Sequence, residues 1–381
     1  MKKRICFVLG SDYNYLGGLS IYQKNIFGEL RKNFPGKFDI DCIFPGKKDK
    51  EWIDLDIKFI SLETRLPYPL SFFEYAKKVS KIVENNNYEI VNSHAMGGYF
   101  LKKIKNKNFK SVHTYHGVTY FFLKNHQSRL NLLKKMILRP VLKMVRRLEE
   151  PPYRNSEKII CVSEKVKEDL EKLYGNRKGI KVIRTGTDIK EFKPGDKLKA
   201  RRLINLDVKS TYGLYMGRGG YWTKGLDRAI SLAEEIYKKN NSFRLIVCGA
   251  DEDKVSLLLN KPFIIYRGTV DREEIRNYYL ATDIFFCLSR YEGGAPTMVT
   301  GEAMSSGCFV VCSNDSEQEI ILDGKNGIII ERFDNTSADK ILKVLNNSKK
   351  LEAIKKNARK TMENLSLEKW GRDYLKTFFE K

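Results

Sequence analysis

Apolar residues fall along this chain in short runs, and between many of the runs they recur every three or four positions. The runs Ile5–Leu9, Phe38–Phe44, Ile57–Leu62, Glu89–Asn92, Lys110–Thr114, Ile159–Val162 and Lys181–Arg184 read as buried strands. Leu19–Phe34, Phe72–Asn85 and Glu164–Leu173 have helical spacing, the last behind a Ser163 cap. The same order returns further on. Strands at Gly213–Met216, Phe243–Cys248, Phe263–Tyr266, Asp283–Leu288, Cys308–Cys312 and Gly327–Ile330 alternate with helices at Gly225–Lys239, Asp271–Ala281, Thr297–Ser306 and Ser337–Leu345. Strands that alternate with helices predict an α/β protein with mostly parallel sheets and right-handed crossovers. Two such stretches predict two doubly wound, Rossmann-like domains facing each other across a cleft, with strand C-termini towards it. Thr185-Gly-Thr-Asp188 and Lys193-Pro-Gly195 interrupt the pattern and mark the boundary. The predicted domains are 1–190 and 191–366.

Composition narrows the class. A chain of 381 residues can build two cores, and 42% hydrophobic residues exclude a disordered chain. No apolar run approaches the ~20 residues of a membrane span. The basic-then-apolar start, Met1 to Gly10, lacks a cleavage site and reads as the first strand. The seven cysteines form no C-x-x-C and sit in strand-like runs, which predicts reduced thiols and a cytoplasmic protein. None of the four histidines pairs with cysteine at a metal-ligand spacing. The net charge of +23 favours an anionic partner: nucleic acid, an anionic membrane surface or a phosphorylated substrate.

One stretch organises the candidate chemistry. Between two strands, Ser289 to Gly307 reads as a glycine-rich turn at Gly293, Gly294 and Pro296, then a helix closed by Gly307. Free backbone N–H groups at Thr297, Met298 and Val299 make an anion site there, suited to a phosphate. Glu302 on that helix can accept hydrogen bonds from hydroxyls. Phosphate beside hydroxyls describes a nucleotide or a sugar nucleotide; an ordinary α/β loop with a solvated glutamate is the competing reading. Arg218 and Lys224 follow a strand and precede a helix, where both can neutralise a diphosphate leaving group. His94 and His116 each end a strand. Residues 127–148 combine apolar helical spacing with Arg129, Lys134, Lys135, Arg139, Lys143, Arg146 and Arg147. Such a helix can lie on anionic lipid or pack its stripe on a sheet.

The chain resembles the retaining glycosyltransferases of family four. The resemblance rests on Gly17-Gly18, Thr114-Tyr-His-Gly117, Ile160-Cys-Val-Ser-Glu164, Val182 to Asp188 with Phe192-Lys-Pro194, Gly217-Arg218 with Lys224-Gly225, Gly268 to Ala281, Glu302-Ala-Met-Ser-Ser-Gly307 and Asp323-Gly-Lys-Asn-Gly327. It implies the GT-B fold, with an N-terminal acceptor domain, a C-terminal donor domain and a C-terminal helix, 367–381, packing back on the first. It also implies transfer of a sugar from a nucleoside diphosphate sugar to an acceptor hydroxyl, with retention. The leaving phosphate oxygen would take the acceptor proton, so no general base is assigned.

In this reading Gly17, Gly18, Arg218, Lys224, Thr297, Met298, Val299 and Glu302 bind the donor, and His116 and Glu292 are catalytic. The family places seven residues between its two glutamates, whereas nine residues separate Glu292 from Glu302. Either the loop bulges by two residues and Glu292 keeps its place, or Gly294 stands there. The local S-x-x-E-G run favours the bulge. Asp39-Ile-Asp41, Asp54-Leu-Asp56 and Asp251-Glu-Asp253 are D-x-D triplets of the kind that hold metal in other glycosyltransferases. Their contexts make them structural or solvated, so no metal and no cofactor are expected. A GT-B nucleotide-sugar epimerase and a basic nucleic-acid-binding protein are the alternatives; nucleic acid is not the expected partner.

Overall fold

In the computed structural model the described residues are 2–14, 17–67, 70–105, 107–126, 132–217, 221–249, 258–294 and 296–380. The chain divides into two units: Met1–Arg184 with Trp370–Lys381, and Thr185–Lys369.

The first unit is built on strands β1 (Lys3–Val8), β2 (Phe38–Gly46), β3 (Lys50–Asp54), β4 (Ile57–Glu63), β5 (Ile90–His94), β6 (Lys110–Tyr115), β7 (Lys158–Cys161) and β8 (Ile180–Val182). Their spatial order is β3-β4-β2-β1-β5-β6-β7-β8. Only β3 runs antiparallel, against β4. The sequence pattern missed β3, since Lys50-Glu-Trp-Ile-Asp54 lies at the sheet edge, where burial imposes no apolar run. The central strands are buried on both faces, which is why they read as unbroken apolar runs. The helix Leu367–Phe379 seats Trp370, Tyr374, Leu375 and Phe378 in this unit, with the ring of Phe378 6.1 Å from Phe7.

The helix Leu132–Asn155 runs past the end expected for it. Its later part packs Leu142, Val145 and Leu148 into the core, as a domain helix does. Its earlier part leaves Met136 and Ile137 59% and 62% exposed. Positions 127–131 lie outside the described residues. Among the described residues, no helix is long and apolar enough to cross a membrane.

The second unit holds β9 (Thr211–Met216), β10 (Phe243–Cys248), β11 (Ile264–Gly268), β12 (Ile284–Cys287), β13 (Phe309–Ser313) and β14 (Ile328–Ile330). The order is β11-β10-β9-β12-β13-β14, all parallel. Both units are thus parallel-sheet, Rossmann-like α/β folds. The chain reverses its direction of travel across each sheet once, between β1 and β5 and between β9 and β12. Ligands of doubly wound sheets bind at such points, beyond the strand C-termini.

One expected helix is shorter than its pattern. Asp271 to Glu274 form a turn, and the helix is Ile275–Ala281. All seven cysteines are buried and free.

Candidate active site

In the second unit, β9 and β12 lie side by side, and the loop after each carries a predicted site residue. Lys224 follows β9 and Glu292 follows β12. Lys224 Nζ donates to Glu292 Oε1 at 2.8 Å and to Oε2 at 3.1 Å. Burial pulls the lysine pKa down, but the charge and hydrogen bonds of Glu292 outweigh it and leave the pKa above the usual lysine value. Lys224 keeps its position through its neighbour. Gly225 sits at φ +73°, and a Cβ there would lie 2.0 Å from the Leu288 carbonyl oxygen, so only glycine fits between the loop and β12. Arg290, also on the loop after β12, locks the same corner through Asp227 at 2.6 and 2.9 Å.

After Glu292 the chain turns through Gly293 at φ +65° and Gly294 at φ +75°. Consecutive left-handed residues are cheap only for glycine. The turn delivers Thr297 as N-cap of the helix Met298–Ser306, with Thr297 Oγ1 accepting from the Thr300 N–H at 3.2 Å. Gly307 closes that helix at φ +85°. The N–H groups of Met298 and Val299 belong to the first turn, where helix geometry supplies no carbonyl. The Thr297 N–H is already taken, by Gln318 Oε1 at 3.3 Å.

Glu302, on the same helix, is 1% exposed. Arg272 Nη1 meets its Oε1 at 2.5 Å, and the Tyr279 hydroxyl donates to Oε2 at 2.9 Å. Burial raises the Glu302 pKa, and Arg272 offsets part of that rise. The Arg272 guanidinium also lies over the Phe192 ring at 4.8 Å. A carboxylate accepts about four hydrogen bonds, so each oxygen retains capacity for a hydroxyl. Arg272 and Tyr279 were not singled out in the sequence. Their signal was hidden because Glu302 pairs with them across 30 and 23 positions.

In the first unit the strand ends beyond β5 and β6 gather a polar cluster. His94 Nδ1 lies 2.9 Å from His116 Nε2, and His94 Nε2 lies 2.7 Å from Asn92 Oδ1. Tyr374 donates to the same Asn92 oxygen at 2.9 Å and shares a 2.7 Å bond with Thr114 Oγ1. Burial depresses all three neighbouring histidines: His94 well below the usual value, His113 and His116 to about 3. Gly17 and Gly18 open the helix Gly18–Asn33, whose Tyr22 ring stands edge-on to His116 at 4.5 Å.

Lys224 with Glu292, and Thr297 to Val299 with Glu302, are therefore brought together in one unit; Gly17, Gly18, His94 and His116 belong to the other. Arg218 lies outside the described residues, as do Asp251 and Asp253. Of the other triplets, Asp41 bonds to Arg4 at 3.1 Å and to Tyr88 at 2.5 Å inside the first unit. Asp54 ends β3, and Asp56 lies in the turn that follows it. Among the described residues no three His, Cys, Asp or Glu side chains are grouped as a metal site would need.

Each of the two sheets carries polar or helix-terminal groups beyond its strand ends. Residues 196–361 match the family model for glycosyl transferases group 1, and residues 16–191 match glycosyltransferase family 4; the chain belongs to this glycosyltransferase family. It is 26% identical over 299 residues to an uncharacterized glycosyltransferase of Methanocaldococcus jannaschii, covering 75% of this chain and 72% of that one. Sucrose-phosphate synthase from Thermosynechococcus elongatus superimposes with a TM-score of 0.80 at 18% identity, over 99% of this chain and 98% of that one. HepE of Anabaena, solved in complex with UDP and glucose, superimposes with a TM-score of 0.70 at 16% identity, over 99% of each chain.

Proposed function

We propose that this glycosyltransferase moves a sugar from a nucleoside diphosphate sugar to an acceptor hydroxyl with retention of configuration, without a metal. The observation that supports this most is the pairing of Lys224 with Glu292 beside a helix that carries two first-turn N–H groups and the buried Glu302. That set supplies a cation and amides for a diphosphate, a carboxylate for the ribose hydroxyls and a second carboxylate for the sugar. HepE of Anabaena, of the same fold, is solved with UDP and glucose, which fits a donor of this class.

In this reading residues 191–366 hold the donor. Lys224 and Arg218 neutralise the departing diphosphate, and the amides of Met298 and Val299 hold its distal phosphate. Glu302 takes the ribose, with Arg272 and Tyr279 keeping its carboxylate aimed. Glu292 stabilises positive charge growing at the sugar carbon, and His116 contacts the sugar. Residues 1–190 hold the acceptor, whose proton passes to the leaving phosphate oxygen. Exposed Met136 and Ile137, next to exposed Arg139 and Lys143, support peripheral contact with anionic lipid.

The test is a thermal-shift screen of UDP-, GDP- and ADP-sugars in EDTA. A shift with a sugar nucleotide, followed by transfer whose product keeps the donor's anomeric configuration by NMR, is the expected outcome. An inverted product removes retention. Activity that vanishes in EDTA and returns with Mn²⁺ or Mg²⁺ removes metal independence.

A further inference from the structure

We propose that Asn92 sets the proton positions of a two-histidine relay, so that His116 meets its ligand with a bare ring nitrogen, Nδ1, and accepts a hydrogen bond from a neutral sugar hydroxyl. The idea rests on His116 being the residue that touches the donor sugar; the proton positions themselves do not.

The derivation starts at a backbone carbonyl. Asn92 is fully buried on β5, and its Nδ2 lies 3.2 Å from the Val112 carbonyl oxygen on the adjacent β6. A carbonyl only accepts, so the amide nitrogen must face it and Oδ1 must face the other way. Tyr374 donates to that oxygen at 2.9 Å, which holds the same orientation from a third side. Asn92 Oδ1 also only accepts. The ring nitrogen 2.7 Å away, His94 Nε2, must therefore carry a proton.

His94 is 2% exposed. Around it lie the Phe7 ring at 6.4 Å, the Tyr22 ring at 6.2 Å, His113, His116 and Asn92; Asp12 lines the same small cavity, but among the described residues no carboxylate bonds to His94. A cation in that setting is uncompensated, so the ring is neutral and holds its single proton on Nε2. His94 Nδ1 is then an acceptor. The 2.9 Å bond it makes requires a proton on His116 Nε2. His116 stands against the Tyr22 ring at 4.5 Å, and among the described residues no carboxylate bonds to it, so a cation there is uncompensated too and its Nδ1 holds only a lone pair. Each step leaves one choice, and the chain of choices runs from a strand carbonyl to a partly exposed ring. A bare nitrogen attracts an O–H and repels the lone pairs of a carboxylate or phosphate. Asn92, His94 and Tyr374 act here as positioning residues.

The test reads proton positions directly. The chain has four histidines, so long-range ¹H–¹⁵N correlation on the full-length, ¹⁵N-labelled protein at pH 7 is tractable, with assignment by single His→Gln variants. No nucleotide is added. The expected result is that His94 and His116 each carry one proton, on Nε2. In Asn92→Ala, checked for folding by its amide spectrum, His116 should shift to a mixture of tautomers. A proton on Nδ1 of either ring in the unsubstituted chain overturns the proposal, as does a doubly protonated ring. A folded Asn92→Ala protein whose His116 keeps Nε2–H in full overturns the role of Asn92. If that variant does not fold, the unsubstituted spectrum still decides the proton positions. Failure to transfer sugar would count against the proposed function and leave this result standing.

Discussion

Lys224 binds both carboxylate oxygens of Glu292, though the two residues are 68 positions apart. Glu292 thus has a fixed place on the loop after β12, and the two glycines behind it continue the turn. Its cationic partner stands on the loop that follows β9, the strand next to β12.

If Glu292 acts on charge that develops at the sugar carbon, its loss belongs to the transition state. Glu292→Gln should lower kcat by about a hundredfold, roughly 3 kcal/mol, while donor affinity changes little. Lys224→Met should lower kcat too, and the double variant should be far from additive because the residues share one interaction. A Glu292→Gln enzyme with unchanged kcat would place that carboxylate outside the site.

Arg272 compensates a buried charge. Arg272→Ala leaves Glu302 unpaired, and breaking a buried pair on one side costs about 3 kcal/mol or more. The variant should melt earlier, and donor KM should rise. Adding Glu302→Gln removes the charge, so Arg272→Ala/Glu302→Gln should melt above Arg272→Ala alone. Equal melting temperatures for the two would show that Glu302 is not held as a carboxylate by Arg272.

The acid response of the first unit sums opposing groups: the depressed His94, His113 and His116 on one side and Glu149 on the other. Buried His113 is pushed down to about 3, so on acidification the unfolded chain gains its proton first, near the usual value of about 6.5. Stability is lost as pH falls below that point, by about 2 kcal/mol at pH 5 for this one residue. Glu149 runs the other way. Burial raises its carboxyl to about 7, against hydrogen bonds from the Thr119 and Tyr120 N–H groups. The folded state therefore gains this proton first, and acidification from pH 7 towards 4.5 adds stability. Glu149→Gln should steepen the acid loss seen in urea melts between pH 7.5 and 5. A shallower curve would mean that folding lowers the Glu149 pKa instead of raising it.

Gly225→Ala should be among the most damaging small substitutions. A left-handed alanine costs about 1–3 kcal/mol, and the added Cβ also meets the Leu288 carbonyl at 2.0 Å. Differential scanning calorimetry should show the loss. A variant that melts within a degree of the parent would mean that the loop can move away from β12.

Most of the fold was legible because parallel strands buried on both faces leave uninterrupted apolar runs, as at Phe243–Cys248 and Phe309–Ser313. Edge strand β3 was not, because half its surface is wet. The helix cap at Thr297 and the stop at Gly307 could be read locally, since a cap needs only its own turn. The tail helix with Tyr374 could be read from its spacing too, but the hydrogen-bond roles of Arg272, Tyr279, Asn92 and Tyr374 could not. Each matters through a partner far along the chain, and neither period nor spacing records which distant residue folding will bring near.

The bond between Tyr374 and Asn92 joins residues 282 positions apart, with the entire second unit between them. A ribosome makes β5 and β6 long before it makes the helix Leu367–Phe379. Throughout that interval the aromatic wall of Trp370, Tyr374 and Phe378 is missing from the first sheet, while Thr185–Lys369 emerges as a continuous segment. The half of the protein that is translated first is therefore the half that is completed last. Until then, the histidine pair waits without the tyrosine that closes its hydrogen-bond chain.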